Sequence, residues 1–378
     1  MGPALWVVLI LAVLSPLVGA WDAYVEKRSR GGSEGAYGQP VGTFAEDPAR
    51  AHRPVRFDWT CGGEYEKFLA YVPDARQNHL VILSGMSQMY TVNDYKPGDQ
   101  ITCELMDEAL APRGTRVFGL ASPNLSQEEA LFLLMSTAAR PQTKPAVFMF
   151  AVSFDKLRNA DIRPGYLVYL RQHPELMAQW RDAAEHYRAK YPLATAKMLE
   201  TLHNLQQNPG IANKTSFESR LRERVAEHVT FVRARRSING QLQMGLFTLR
   251  NWIFHIKPTS KRPLIPGLYN TNREFLGLLA DIGRDRGVTV ALYIVPFNPN
   301  ADSPYIPEEY ASFKTWLQAF AAEHGTPLAN LENAVPSSDW GLFMGGSDFK
   351  HFKEIGHHRT AAALMAAFPK VLVPETGR

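Results

Sequence analysis

Short aliphatic runs alternate along this chain with longer stretches of helical periodicity. His79-Leu80-Val81-Ile82-Leu83 is a run of apolar and β-branched residues ending in Ser84-Gly85, the pattern of a buried strand that feeds a tight turn. Residues 115–120 predict a second strand and residues 146–152 a third. Between them a helix is expected to start near Ser126, where Glu128 and Glu129 suit the positive end of the helix dipole. Residues 161–265 read as mostly helical, and Thr215-Ser216-Phe217-Glu218 has the form of a capping box for a helix carrying Leu221, Val225 and Val229. Phe275, Leu278, Leu279 and Ile282 mark a helix that precedes a strand over 288–295. Tyr310, Phe313, Leu317 and Phe320 mark another, leading to the apolar run 327–331.

Alternation of this kind predicts an α/β fold with a mostly parallel sheet covered on both faces. Ligands of such sheets gather at the carboxyl ends of the strands, and Ser87 follows directly on one such end. The length of 378 residues, with 45% apolar and 21% charged residues, is that of a globular protein able to bury a full core. We read residues 57–378 as one large domain with a helical insertion over about 161–265. The formal charge of +4 is too small for a typical nucleic-acid protein, so no nucleic-acid partner is expected. Arg222, Arg224, Arg233, Arg235 and Arg236 gather on one helical stretch, which reads as a solvated face or as a surface for anionic headgroups or an acidic polymer.

Residues 4–18 are apolar without a single charge, and Val18-Gly19-Ala20 resembles a signal-peptidase site. Residues 1–20 are therefore expected to be a signal peptide or an N-terminal membrane anchor, with Trp21 and Tyr24 placed to sit at an interface in the second case. Export to the periplasmic or extracellular face is the default expectation. Against it, no Lys or Arg precedes the run, whereas Lys27, Arg28 and Arg30 follow it. Residues 21–56 are expected to be a linker, rich from residue 27 onward in Gly, Pro, Arg and Ser and without apolar period. The two cysteines, Cys61 and Cys103, flank the segment containing Ser87, and in an oxidising compartment they could form one disulfide; the alternative is two buried thiols.

The chemistry is concentrated in two places. In Gly85-Met86-Ser87-Gln88, a glycine two residues before a serine lets the chain turn sharply after a strand and expose the hydroxyl. On its own such a serine is more often a helix cap. Asp348-Phe349-Lys350-His351 changes the weighing, because a serine hydroxyl becomes a nucleophile when an imidazole takes its proton and a carboxylate fixes the imidazole tautomer. An i, i+3 spacing on a helical turn or tight loop would put Asp348 and His351 on one side. A zinc site on Asp348, His351, His357 and His358 is the rival reading; it would need three well-placed ligands and would leave Ser87 incidental. No metal or other cofactor is expected. His357 and His358 are instead expected to open a last helix packed through Ala361, Ala362, Met365 and Ala366.

These motifs resemble the SGNH hydrolase superfamily, and within it the DltD-type proteins that partner membrane-bound O-acyltransferases. The resemblance rests on Gly85-Met86-Ser87-Gln88, on Val295-Pro296-Phe297-Asn298 after a late strand, and on Asp348-x-x-His351 with Gly356 downstream. It implies an SGNH-like, flavodoxin-like three-layer fold, with Ser87 as nucleophile, His351 as general base and then acid, and Asp348 as its orienter. The superfamily's usual Gly-Asp-Ser-Leu is here Gly-Met-Ser-Gln, and no Gly-x-Asn-Asp block supplies an oxyanion amide. The Ser87 N–H is the first candidate donor, followed by the side chains of Asn298 and Asn124, for each of which a turn-forming role is the alternative.

The function expected on this basis is an exported serine acyltransferase or esterase that moves an acyl group, such as acetyl, on a cell-envelope polysaccharide or other glycopolymer. The resemblance also implies a membrane-bound O-acyltransferase as partner. The rival from another class is a non-catalytic envelope protein that keeps the fold to bind glycan or to scaffold the acyltransferase.

Overall fold

The structure is a computed structural model that describes residues 55–56, 69, 72, 76, 78–207 except 97, 123 and 159–161, and 260–373 except 344–345. Six strands form a parallel sheet: β1 (Val55–Arg56), β2 (His79–Gly85), β3 (Thr115–Ala121), β4 (Val147–Val152), β5 (Thr289–Ile294) and β6 (Leu328–Asn330). Their spatial order is β1-β3-β2-β4-β5-β6. Leaving aside the two-residue edge strand β1, this is the doubly wound order of flavodoxin-like folds, the fold that the motif resemblance implies. The progression reverses between β2 and β4, and the crevice beyond their carboxyl ends is where such sheets bind ligands.

Among the described residues the helices are α1 (Thr102–Leu110), α2 (Gln127–Ala138), α3 (Pro164–Gln172), α4 (Pro174–His186), α5 (Pro192–Gln207), α6 (Pro266–Asp285), α7 (Pro307–His324), α8 (Glu354–Ala367) and the short α9 (Pro369–Leu372). Side chains alternate across the sheet as the strand pleat requires. Leu80 and Ile82 of β2, with Phe148, Phe150 and Val152 of β4, pack under α2, α6 and the helices of the predicted insertion. Val81, Leu83, Val147, Met149 and Ala151 face the other way, against Met106 and Leu110 of α1 and Leu364 of α8. Strands buried on both faces explain why the sequence shows continuous apolar runs instead of alternation.

The signal expected at the start of α2 holds up. Ser126 caps α2: its hydroxyl accepts from the Glu129 N–H at 3.2 Å while the Glu129 carboxylate accepts from the Ser126 N–H at 3.0 Å. The marked residues of α6 and α7, Phe275, Leu278, Leu279, Ile282, Tyr310, Phe313, Leu317 and Phe320, are all buried.

Three expectations are corrected. Val55 and Arg56, assigned to the linker, form β1 beside Leu120 and Ala121; two residues are too few to carry a period. The packing face of α8 is not Ala361, Ala362, Met365 and Ala366, since Ala362 and Ala366 are exposed. It is His357, Thr360, Ala361 and Leu364, a stripe at i, i+3, i+4 and i+7 that includes two polar residues a hydrophobic pattern passes over. Asp348 and His351 lie on neither a helical turn nor a tight loop but on β8 (Gly346–Phe352), which pairs antiparallel with β7 (Trp340–Phe343) as a separate hairpin.

The apolar segment 4–18, most of the linker, the capping box at 215–218, the arginine-rich stretch 222–236 and Cys61, with its expected pairing to Cys103, lie outside the described residues. Cys103 itself is buried on α1, and burial pushes its thiol well above the ordinary range. No helix among the described residues is long and apolar enough to cross a membrane.

Candidate active site

Ser87 stands two residues beyond β2. Met86 is extended, with φ −93° and ψ −168°, and Ser87 opens a single 3-10 turn, Ser87–Met89, closed by the Met89 N–H on the Met86 carbonyl at 2.9 Å. Gly85 serves this turn by its size and not by an unusual φ. A Cβ there would lie 2.7 Å from the Cβ of Ala151 on β4 and 2.9 Å from the Cγ of Met89. The missing side chain is what lets the turn settle against the neighbouring strand. Gln88 is buried and donates to the carbonyls of Pro296 at 2.9 Å and Lys350 at 2.8 Å, tying the turn to the ends of β5 and β8.

The β7–β8 hairpin delivers the other two residues. Ser87 Oγ lies 2.9 Å from His351 Nε2, and His351 Nδ1 lies 3.0 Å from Asp348 Oδ2. Asp348 is buried, yet its carboxylate is well supplied with donors. Oδ1 accepts from the backbone N–H groups of Lys350 at 2.8 Å and His351 at 3.2 Å, and Oδ2 also accepts from Asn93 Nδ2 at 3.3 Å. A carboxylate accepting backbone and amide hydrogens is acceptor-only, so the proton shared with Nδ1 belongs to the ring. That tautomer leaves a lone pair on Nε2 for the Ser87 hydroxyl proton.

Asn93 is a residue the sequence reading missed. Buried, it follows the Ser87 turn, and its backbone N–H donates to the Phe352 carbonyl at 2.9 Å. Its side chain reaches the Leu342 carbonyl at 3.2 Å as well as Asp348, lying directly over Gly341. A lone Asn after a turn carries no period, so no sequence signal marks it.

The two side-chain amides expected near the oxyanion have other partners. Asn298 Nδ2 donates to the backbone carbonyl of Asp348 at 2.9 Å, and its Oδ1 accepts from the Asn300 N–H at 3.0 Å. It braces the strand that carries Asp348. Asn124 has a left-handed φ of 56°, a turn conformation, and its Oδ1 accepts from Lys156 Nζ at 2.6 Å.

The four residues of the zinc reading fall into separate sets. His357 is fully buried: Nδ1 accepts from the Thr102 N–H at 3.2 Å, and Nε2 faces the Thr91 carbonyl at 3.2 Å as a donor. Both ring nitrogens are thus used by the protein. His358 is exposed beside Glu354, 3.8 Å away. No group of three His, Cys, Asp or Glu among the described residues is disposed to hold a metal ion.

Burial pulls His357 down from 6.5 to about 3, against the opposing hydrogen bond to Thr91. The unfolded chain therefore binds a proton between these values that the folded chain refuses. The stability His357 contributes is complete above pH 6.5 and is lost progressively as pH falls toward 3, by up to about 1.4 kcal/mol per pH unit. Urea denaturation from pH 7.5 to 4.5 should show this slope, and His357→Asn should start less stable at pH 7.5 but lose that part of it. An unchanged slope would mean that His357 titrates normally in the folded protein.

No family model and no curated protein matches the chain. Among solved structures it is similar to a GDSL-like lipase from Bacteroides thetaiotaomicron VPI-5482, with 10% identity and a TM-score of 0.39 over 83% of this chain and 100% of that one. It is also similar to a putative acylhydrolase from Bacteroides fragilis NCTC 9343, with 11% identity and a TM-score of 0.38 over 83% and 99% of the two chains. A third similar structure is TesA, with 14% identity and a TM-score of 0.38 over 78% and 99%.

Proposed function

We propose that this chain is a serine acyl-transfer enzyme in which Ser87, His351 and Asp348 form the catalytic triad. The observation that carries the proposal is the unbroken hydrogen-bonded series from Ser87 Oγ through both nitrogens of His351 to a buried, fully supplied Asp348 carboxylate. Ser87 Oγ attacks the carbonyl carbon of an ester while its proton passes to His351 Nε2. The C–O bond to the leaving alcohol then breaks as Nε2 returns the proton to the departing oxygen, leaving an acyl-serine. A second hydroxyl, from an acceptor or from water, gives its proton to Nε2 as it attacks the acyl carbon, and the acyl C–Oγ bond then breaks as Nε2 returns that proton to Ser87 Oγ. Asp348 stabilises the imidazolium formed in each half without itself taking a proton.

The developing oxyanion needs donors. We assign the Ser87 N–H to this role, because the first N–H groups of a turn point away from the carbonyls that close it. Asn298 is not assigned to it, since its amide braces Asp348.

The finer reading is an exported enzyme that moves an acyl group, such as acetyl, on a cell-envelope glycopolymer, beside a membrane-bound O-acyltransferase. Its support is the charge-free apolar run at 4–18 and the motif resemblance. Transfer and hydrolysis differ only in whether water reaches the acyl-enzyme.

The test is covalent. A fluorophosphonate should label the protein at Ser87, and p-nitrophenyl acetate should be turned over with a burst of one equivalent. Absence of both labelling and turnover would remove the enzyme reading in favour of a glycan-binding or scaffolding protein.

The support of Asp348 by Asn93 gives a finer prediction. A Cβ on Gly341 would lie 1.9 Å from Asn93 Cγ, so Gly341→Ala must displace that side chain. Losing one hydrogen bond to a charged carboxylate costs about 1.5–3 kcal/mol, which corresponds to roughly a 10- to 100-fold fall in kcat/KM. Activity unchanged in a folded Gly341→Ala protein would show that Asn93 does not hold Asp348 in place.

A further inference from the structure

At the carboxyl end of β4, the strand next to the one that delivers Ser87, two lysines crowd onto a single carboxylate. Asp155 is buried and accepts from Lys350 Nζ and from Ser153 Oγ, while the Tyr305 hydroxyl donates to it at 3.3 Å. Lys156 Nζ stands 3.8 Å from the same carboxylate and donates to Asn124 Oδ1 at 2.6 Å. Arg262 approaches Asp155 at 3.5 Å from a partly exposed rim. The side chains of Lys156 and Lys350 are only 6% and 15% exposed. Burying an ammonium is costly unless a countercharge sits beside it, and one carboxylate does not neutralise two.

The proton affinities reflect the crowding. Burial opposes ionisation of Asp155, but Lys350 and Lys156 beside it outweigh burial and hold its carboxyl well below the usual range. Lys156 is pulled down to about 8 by burial; the pull of Asp155 opposes this, and Lys350, Arg262 and Arg163 add to it. Arg163 itself is held by the Glu129 carboxylate in a two-pronged pair, at 2.6 and 2.7 Å. Perturbed groups of this kind are commonly found where a ligand completes the charge.

Position links the cluster to the site. Ser87 follows β2 and Asp155-Lys156 follow β4, so they flank the point where the strand order reverses. Lys350 is the residue before His351, and its carbonyl accepts from Gln88, the residue after Ser87. We propose that Lys156, Lys350 and Arg262, with Asn124 beside them, form a subsite for an oxyanion of the substrate, a carboxylate or a phosphate. This rests on the serine reading above and gives it a substrate class: the acyl group moves on or off an acidic molecule, whose anion is held one strand away from the nucleophile.

Binding and labelling test the subsite separately. The full-length protein is titrated calorimetrically with inorganic phosphate and with D-glucuronate, with methyl glucoside as the neutral control. At least one anion should bind, methyl glucoside should not, and Arg262→Gln and Lys156→Met should each weaken binding by at least about tenfold. Phosphate alone would point to a phosphate-bearing substrate, and glucuronate to a uronate. The bound anion should also slow fluorophosphonate labelling of Ser87. Absence of binding, equal affinity in the variants, or binding that leaves labelling unaffected would overturn the subsite. Should Lys156→Met fail to fold, Arg262→Gln at the rim still decides. Anion binding by a protein that fluorophosphonate never labels would instead remove the serine reading, and with it the substrate role.

Discussion

Ser87→Ala and His351→Ala should each reduce acyl-ester turnover by about 10⁶-fold, and the double variant should be hardly worse than either. The reason lies in the single contact of 2.9 Å between Ser87 Oγ and His351 Nε2. A hydroxyl without its base keeps its proton through the attack, and a base without its hydroxyl has nothing to activate, so the second substitution removes an interaction that is already gone. Ser87 is half-buried on its turn, and Asp348 keeps two backbone donors when the imidazole is removed, so both variants should keep a cooperative thermal transition. Steady-state rates for the two single variants and the double settle the matter. Losses that multiply in the double variant would mean that the two residues act independently and that the triad assignment is wrong.

Asp348→Asn should lower kcat by up to about 10⁴-fold with the fold retained, and here the hydrogen bonds dictate the outcome. Oδ1 accepts two backbone N–H groups, from Lys350 and His351, so the amide oxygen of an asparagine must take that place. Its NH₂ then faces His351 Nδ1 and the Asn93 amide, both reached by Oδ2 in the native protein. Nδ1 is compelled to accept, the ring proton moves to Nε2, and Nε2 can no longer take the Ser87 proton. The opposing amide hydrogens of Asn93 add a donor-to-donor contact. Fluorophosphonate labelling should slow in parallel with turnover. A rate within about tenfold of wild type would show that Asp348 does not set the imidazole tautomer.

What the sequence by itself determined is what local periodicity encodes. Burial on both faces writes continuous apolar runs, as at His79–Gly85 and Val147–Val152, and burial on one face writes the helical spacing of Tyr310, Phe313, Leu317 and Phe320. A capping box such as Ser126 with Glu129 is legible for the same reason, since its partners are three residues apart. Ser87, Asp348 and His351 can be named from sequence because each stands in a short pattern whose chemistry is specific. Tertiary structure alone decided how they meet. Ser87 and His351 are 264 residues apart, and their contact depends on a hairpin, β7–β8, that no apolar period announces. The same holds for Asn93, which reaches Asp348 across 255 residues, and for Lys350, which reaches Asp155 across 195. Such residues are polar and isolated along the chain, and their roles arise when the doubly wound sheet brings its strand ends to one crevice. Even Gly85, conspicuous in sequence, owes its place to a neighbour that only the folded sheet supplies: the Cβ of Ala151 on the adjoining strand leaves no room for another.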